Sequence, residues 1–415
     1  MSILILNRIP LATTPYHEWL ADYDGSLVMI SAQDKVDALG AKKDAVLGNY
    51  AHVEGLNGYD LSGLPEWHAV RLHEKYRFKH VVALSEFDIL RAARLREHFG
   101  ISGQTVASAI AFRDKVVMKD ILADKGLPVT QYQPLDSIGQ VIDFRDEYGF
   151  PIVIKPRCGG ASVKTSIINS EEELRQFLSQ PQPWRFEHPD FMVEKYIDGV
   201  MYHIDGIVLN SRCLFLWPSE FYNDCLSFRH AKSLGSYLMD EHAPLRRKLQ
   251  EFVRAILKAL PTPNDTTFHA EVFLQPDGRL LVGEIASRTG GARIRDTIRL
   301  GFNINLPRSW IRSQCGLDPE VPYELFDSED PIPKIYAGWL LIPPRPGTFD
   351  GAATEKPFEW VNDYAISARL GQTFNGASSS MDHIASFVVV SDKSVEVKER
   401  LAKVDSWFSS AAKWT

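Results

Sequence analysis

The stretch Thr267–Gly291, TFHAEVFLQPDGRLLVGEIASRTGG, restricts the fold of this chain more than any other. Two alternating apolar runs flank Asp277-Gly278, a dipeptide suited to the positive φ angles of a two-residue hairpin turn. Closing there sets residues equidistant from the turn face to face: Glu271, six before Asp277, meets Glu284, six after Gly278. Side chains alternate along a strand, so Ala270, Val272, Leu274, Leu281 and Ile285 take the core side. His269, Glu271, Phe273, Val282 and Glu284 take the other. Directly opposed like charges destabilise a hairpin unless a cation answers them. An oxygen-seeking Mg²⁺ does so, being held by one or two carboxylates together with substrate phosphates. Neighbouring lysines or arginines, or a raised pKa on one carboxyl, would also do so.

Short apolar strands alternate with amphipathic helices elsewhere, which predicts an α/β protein. At 415 residues the chain exceeds what one core supports, so several subdomains are expected. Residues 1–110 read as an open parallel α/β sheet with strands at Ser2–Leu6, Leu27–Ile30 and His80–Leu84. A helix follows in which Phe87, Leu90, Leu95 and Phe99 form the inward stripe and Gly100 is a left-handed stop. Residues 111–310 open with a helix started by Asp114 and ended by Gly126 and Pro128. Then come the strand PIVIKP, the loop Arg157–Thr165 and a helix capped by Ser170 and Glu173, with Leu174, Phe177 and Leu178 inward. Strands at Phe191–Ile197 and Met201–Leu209 and a helix over about Glu241–Leu260 complete this region. Residues 311–415 form an α+β part with strands near Ile335–Ile342 and Ala385–Val390 and a final helix, and no chemistry is legible there. Gln180–Trp184 reads as a surface connection.

Charged residues, 24% of the chain with a net charge of −7, are scattered rather than clustered, which argues against nucleic-acid and anionic-membrane partners. Cys158, Cys213, Cys225 and Cys315 lack metal-ligand spacing and read as reduced thiols of a cytoplasmic protein. No apolar run approaches the ~20 residues of a membrane span. No basic segment precedes the first apolar stretch, so a signal peptide is not expected.

Lys115 stands in the first turn of its helix, where dipole and ammonium both attract phosphate. Lys155 ends a buried strand. Either alone is more often a lysine that snorkels to solvent. Gly159, Gly160, Ala161 and Ser162 form a small-residue loop whose amides suit phosphates. Val163 stands where a Walker A loop needs glycine, so a P-loop is excluded. In FMVEKYIDG, the backbone of Lys195–Ile197 and the carboxylate of Glu194 suit a purine.

In chain order, DK with Lys115, VIKP with Lys155, the small-residue loop, VEKYIDG, HAEV and EIASRTGG resemble the ATP-grasp superfamily over about residues 80–305. The branch is the one shared by biotin carboxylase-like enzymes and amino-acid ligases. The resemblance implies an ATP-grasp fold with an N-terminal pre-ATP-grasp domain, a mobile lid over about 128–190 and a C-terminal part completing the body. It implies that Lys115 and Lys155 hold the ATP phosphates under a loop of Gly159, Gly160 and Ser162. Glu194, Lys195 and Ile197 would contact adenine and Phe273 its ring. Glu271 and Glu284 would bind two Mg²⁺, with Mn²⁺ a substitute, and Arg288 would stabilise the transferring phosphoryl group. His203 and Asp205 match a position from which relatives reach the γ-phosphate and substrate. Gly290, Gly291 and Arg293 are candidates for a substrate carboxylate. Two departures stand out: Ala286 replaces the usual metal-ligand asparagine, and Met201 a ribose-binding glutamate.

The chain most resembles L-amino-acid ligases, which implies that a carboxylate is phosphorylated by ATP and the acyl phosphate captured by an amine. Both substrates would be small molecules, amino acids by that resemblance; oligomeric state is not legible. A ligase for a specialised-metabolite or carrier-bound amine is the nearest alternative. A nucleotide-binding regulator without turnover is favoured by Ala286 and Met201 and opposed by the joint presence of Lys115, Lys155, Glu271, Glu284 and Arg288. A carboxylase is disfavoured by Gly290-Gly291 and by the absence of a Met-Lys-Met segment.

Overall fold

The computed structural model describes residues 1–179, 190–223, 225–322, 324–327 and 331–415; the Gln180–Trp184 connection lies outside them. The chain is mixed α/β. Its first sheet is parallel, in the order His52–Leu56, Ser26–Ala32, Ser2–Asn7, Phe78–Ala83. Ser2–Asn7 is buried along its whole length, which is why it reads as an unbroken apolar run. The order reverses between Ser2–Asn7 and Phe78–Ala83, and at such a switch point the carboxyl ends of the strands open a crevice. Glu86 and Phe87 follow directly from that end.

The helix Ile89–Phe99 ends at Gly100 with φ +66°, as expected. Its stripe is rotated from the expected one: Ile89, Ala92, Ala93 and Leu95 are buried, Leu90 is only half-buried, and Phe87 precedes the helix and is 55% exposed. Alanines let the helix approach the sheet closely, and Phe87 has another use described below.

A four-stranded antiparallel sheet, in the order Tyr132–Leu135, Phe191–Lys195, Ile152–Pro156, Ser166–Ile168, has its own core. Leu135, Phe144, Ile152, Ile154, Leu174 and Val193 fill it, from strands and from the helices Ile138–Tyr148 and Glu171–Ser179. The cap on the latter helix differs slightly from expectation. Ser170 accepts from the Glu173 amide at 3.2 Å, but the Glu173 carboxylate turns to the Asn169 amide at 2.8 Å.

The largest sheet has eight strands, in the order Leu280–Ala286, Thr266–Leu274, Val200–Leu209, Arg212–Phe221, Leu234–Leu238, Tyr336–Ile342, Ala385–Ser391, Val361–Ile366. Leu234–Leu238 pairs with Tyr336–Ile342, so the sheet runs through residue 310 without interruption. The helices Pro244–Ala259 and Ser394–Ala411 bury Leu249, Val253 and Ile256, and Val397, Leu401 and Phe408. Pro346–Gly351, Gln372–Asn375 and Lys413–Trp414 form a small separate sheet. Among the described residues no helix is long and apolar enough to cross a membrane, and Cys158, Cys213 and Cys315 are in no disulfide.

The hairpin keeps the expected glutamate pairing by a different route. Gly278 has φ +82° and Asp277 does not take positive φ; the Gln275 amide donates to the Arg279 carbonyl at 2.9 Å. The loop is therefore Pro276-Asp277-Gly278, three residues rather than two, which shifts the register by one. Leu274, Phe273 and Val272 face Leu280, Leu281 and Val282. Gly283 is then an extra, bulged residue, and past it Glu271 faces Glu284 and Ala270 faces Ile285. The two offsets cancel at the carboxylates but not between them. Val282 lies in the core with Val272 and Leu280, and Leu281 takes the Phe273 face, the reverse of the alternation read from sequence. A Cβ at Gly283 would stand 2.9 Å from the Phe273 ring, so glycine is what this bulge admits.

Candidate active site

Asp114 caps the helix Lys115–Asp124 by accepting from the Val116 and Val117 amides at 3.0 and 3.4 Å. That fixes Lys115 as the first helical residue, buried, with its ammonium 3.1 Å from the Glu284 carboxylate and donating to the Gly159 carbonyl at 3.1 Å. His269 Nε2 lies 3.7 Å from Glu271. Each member of the glutamate pair thus has one cationic neighbour. Burial raises the Glu271 carboxyl, yet His269, Lys155 and Lys115 outweigh it and hold the group below its ordinary value. Two half-buried carboxylates supply hard oxygens on facing strands, a donor set that fits Mg²⁺.

Lys155 lies 2.5 Å from one oxygen of the buried Glu194. The other oxygen is 3.4 Å from Lys119 but receives no hydrogen bond among the described residues. Burial would raise the Glu194 carboxyl; Lys155 and then Lys119 reverse that, and the group stays ionised. A buried carboxylate oxygen without a donor fits an exocyclic amino group such as that of adenine. Lys119 was not singled out from sequence, although its place four residues after Lys115 puts both lysines on one helix face. Lys195 is more committed than expected. Its amide donates to the Gln131 carbonyl at 2.9 Å, its carbonyl accepts from Thr130 at 3.1 Å, and its ammonium donates to the Gly149 and Phe150 carbonyls, each at 3.0 Å. The Ile197 amide has no partner among the described residues. Phe273 is half-buried beside Met201 on the adjacent strand.

Arg288 donates to Glu86 at 2.5 Å, and Glu86 also accepts from Arg113 at 2.5 Å. Neither Glu86 nor Arg113 was identified from sequence, since no local pattern joins the end of the first sheet to a hairpin two hundred residues on. The loop Arg157–Thr165 is tied through its carbonyls. Cys158 accepts from Arg113 at 2.8 Å, Gly159 from Lys115, Ala161 from the Ser380 amide at 3.2 Å, and Thr165 from Arg229. Within the loop, Ala161 and Ser162 have φ of +54° and +56°.

His203 and Asp205 do not face outward. Asp205, fully buried, binds His203 Nδ1 at 2.6 Å and His269 Nδ1 at 2.9 Å, and His203 Nε2 meets Ser236 Oγ at 2.7 Å. Burial would raise the Asp205 carboxyl, but the two imidazoles hold it well below the carboxylate range. Burial would lower the His269 imidazole, but Asp205 raises it to about 9. Both Asp205 oxygens are engaged by the two histidines. A Cβ at Gly290 would lie 2.5 Å from Asp205 Oδ1 and 3.0 Å from His269 Nδ1. Gly290→Ala should therefore cost about 1–3 kcal/mol through overpacking, read as a lowered Tm; an unchanged Tm would show that the cluster yields freely.

Arg293 is also committed, to Asp296 and Asp363 at 2.5 Å each and to Ser386 at 3.2 Å. A substrate carboxylate would have to displace one of these, so Arg293 ties the segment after the hairpin to the C-terminal strands. Those strands bring unexpected residues to the site: Met381 borders the exposed Gly291, and Ser380 meets the loop.

Residues 148–296 match a family described as the ATP-grasp domain. The L-arginine-specific L-amino acid ligase of Bacillus subtilis is 28% identical over 274 residues, 65% of this chain and 64% of that protein. A D-alanine–D-alanine ligase of Clostridium beijerinckii is 36% identical over 164 residues, 38% of this chain and 52% of that one. The chain thus spans a little under two thirds of the first relative and about half of the second. The crystal structure of an L-amino acid ligase from Bacillus licheniformis aligns with a TM-score of 0.75 at 16% identity, covering 98% of this chain and 97% of that one, a likeness of fold.

Proposed function

We propose that this chain, which has the ATP-grasp fold and carries an ATP-grasp domain at residues 148–296, is a cytoplasmic ATP- and Mg²⁺-dependent ligase that joins the carboxylate of one amino acid to the amine of another. The observation that carries this reading is the facing pair Glu271 and Glu284, with Lys115 3.1 Å from Glu284 and Arg288, just past the hairpin, held by Glu86. The relatives whose names specify amino-acid and D-alanine ligation support the substrate class.

In this reading Lys115 and Lys155 hold the phosphates of ATP, and Glu194, Ile197 and Phe273 hold adenine. The loop containing Gly159, Gly160 and Ser162 covers the phosphates, and the region about 128–190 acts as the lid. Two Mg²⁺, replaceable by Mn²⁺, would neutralise charge between Glu271, Glu284 and the phosphates. A carboxylate oxygen of the first amino acid attacks the γ-phosphorus in line, and ADP leaves. The second substrate's amine attacks the acyl carbon, phosphate leaves, and the nitrogen loses its proton as the amide forms. Arg288 stabilises the negative charge of both steps.

Phosphate release from ATP across single and paired L-amino acids, with mass detection of the products, tests this. Release that requires a pair and yields a dipeptide is expected. Release with amino acids absent from the panel's standard set would favour the specialised-metabolite alternative. ATP bound without release under any pair would favour the nucleotide-binding regulator that Ala286 and Met201 suggest.

A further inference from the structure

We infer that Glu86 and Arg113 are positioning residues that tie the placement of Arg288 to the position of the loop Arg157–Thr165; the inference rests on the ligase reading above. Glu86 emerges from the carboxyl end of the first parallel sheet, Arg113 directly precedes the helix cap Asp114, and Arg288 follows the metal-pair hairpin. Three separate elements therefore meet at one carboxylate. Glu86 accepts from Arg113 through one oxygen and from Arg288 through the other, each at 2.5 Å.

The second arm of Arg113 leaves this cluster and donates to the Cys158 carbonyl at 2.8 Å, inside the loop. A planar guanidinium serves both acceptors at once, so the loop lying here and Glu86 being oriented are two ends of one rigid group. On the other side, Arg288 donates to the Thr289 carbonyl at 2.9 Å, which restrains its remaining freedom. Phe87 completes the arrangement. Its exposed ring lies 5.6 Å from the Arg113 guanidinium and 4.3 Å from that of Arg8, which accounts for an aromatic residue standing in solvent at this point.

The charges agree with this role. One carboxylate stands between two guanidinia, leaving a net positive charge beside the facing glutamates, where an acyl phosphate would form. Burial would raise the Glu86 carboxyl, but Arg288 and Arg113 outweigh it and bring it down to about 2, so the cluster stays ionised. Lys115, two residues after Arg113, binds the adjoining Gly159 carbonyl, so the same turn of chain grips the loop twice.

The test uses Glu86→Gln, Arg113→Lys, Arg113→Met and the double variant Glu86→Gln/Arg113→Met. Turnover is measured by phosphate release. Loop position is measured by tryptic cleavage after Lys164 with Mg²⁺ and a non-hydrolysable ATP analogue. In the wild type the analogue should protect the loop. Both Arg113 variants should lose that protection, and Arg113→Met should lower kcat about 10- to 100-fold, the size of effect typical of residues that orient a catalytic group, with KM for ATP changed less than about threefold. Glu86→Gln should lower kcat similarly while keeping protection. The double variant should be no worse than the worse single one, because the two residues act as one unit. Effects that multiply, or Arg113 variants protected like the wild type, would overturn the inference. Should Arg113→Met fail to fold, Arg113→Lys carries the test, since it keeps the charge but a point ammonium cannot serve both acceptors. Protection is read without turnover, so a wild type that releases no phosphate removes the ligase reading alone.

Discussion

Glu284→Gln should lower ATP-dependent phosphate release by about 10³-fold, since a metal contact supplies several kcal/mol of transition-state charge stabilisation and each ~1.4 kcal/mol is tenfold. The amide keeps the shape of the side chain and one oxygen but loses the charge. Two effects then coincide. Mg²⁺ would face a single carboxylate, Glu271, whose nearest cation is His269 at 3.7 Å. Lys115 loses the partner 3.1 Å away and is left beside the Gly159 carbonyl alone. Stability should change little. Removing one of two facing carboxylates relieves a cross-strand repulsion of about 0.2–1 kcal/mol, which offsets the lost contact to Lys115. The measurement is kcat with excess Mg²⁺ alongside Tm. A variant keeping more than a tenth of the activity would remove the facing pair from the metal site, whereas a collapse in Tm would make the pair a folding element instead.

Arg288→Met should be more damaging still, by about 10³- to 10⁵-fold in kcat, the range over which a phosphoryl-stabilising arginine acts. The usual objection to such a variant is that an uncompensated buried charge costs about 3–5 kcal/mol and unfolds the protein. Here Glu86 keeps Arg113 at 2.5 Å, so its carboxylate remains paired when Arg288 is gone. ATP binding should therefore persist at near wild-type affinity while turnover vanishes. Arg288→Lys should recover little, because a lysine cannot bind Glu86, the Thr289 carbonyl and an anion in one plane. Loss of ATP binding in either variant would place Arg288 in nucleotide binding rather than in the chemistry.

Much of the fold was legible, because strand and helix signals are local. Ser2–Asn7, Ile152–Pro156, Tyr336–Ile342 and the long helices announce themselves by runs of buried side chains or by apolar spacing, and Asp114 and Gly100 by the chemistry of helix ends. Arg212–Phe221, Leu234–Leu238 and Val361–Ile366 went unread. Arg212–Phe221 forms a hairpin with Val200–Leu209 through Asn210-Ser211, whereas Leu234–Leu238 takes its place in the eight-stranded sheet from Tyr336–Ile342, a partner distant in sequence.

The hairpin shows how a local rule can reach the right pair for an incomplete reason. Turn chemistry placed a turn at Asp277-Gly278, but the extra loop residue and the Gly283 bulge depend on how strand twist and the Phe273 ring are accommodated, which spacing does not encode. The faces of Leu281 and Val282 changed accordingly.

By itself the sequence determined many of the elements and which side chains carry charge: an α/β chain, a glutamate pair on facing strands, lysines at the head of a helix and the end of a strand. These follow from interactions within a few residues. Only the tertiary structure decided how those charges are shared. It gave Lys119 to Glu194 and Asp205 to two histidines, committed Arg293 to Asp296 and Asp363, and joined Glu86, Arg113 and Arg288. A buried charge must find its counter-charge wherever the fold brings one within about 3 Å, and that partner can lie two hundred residues away.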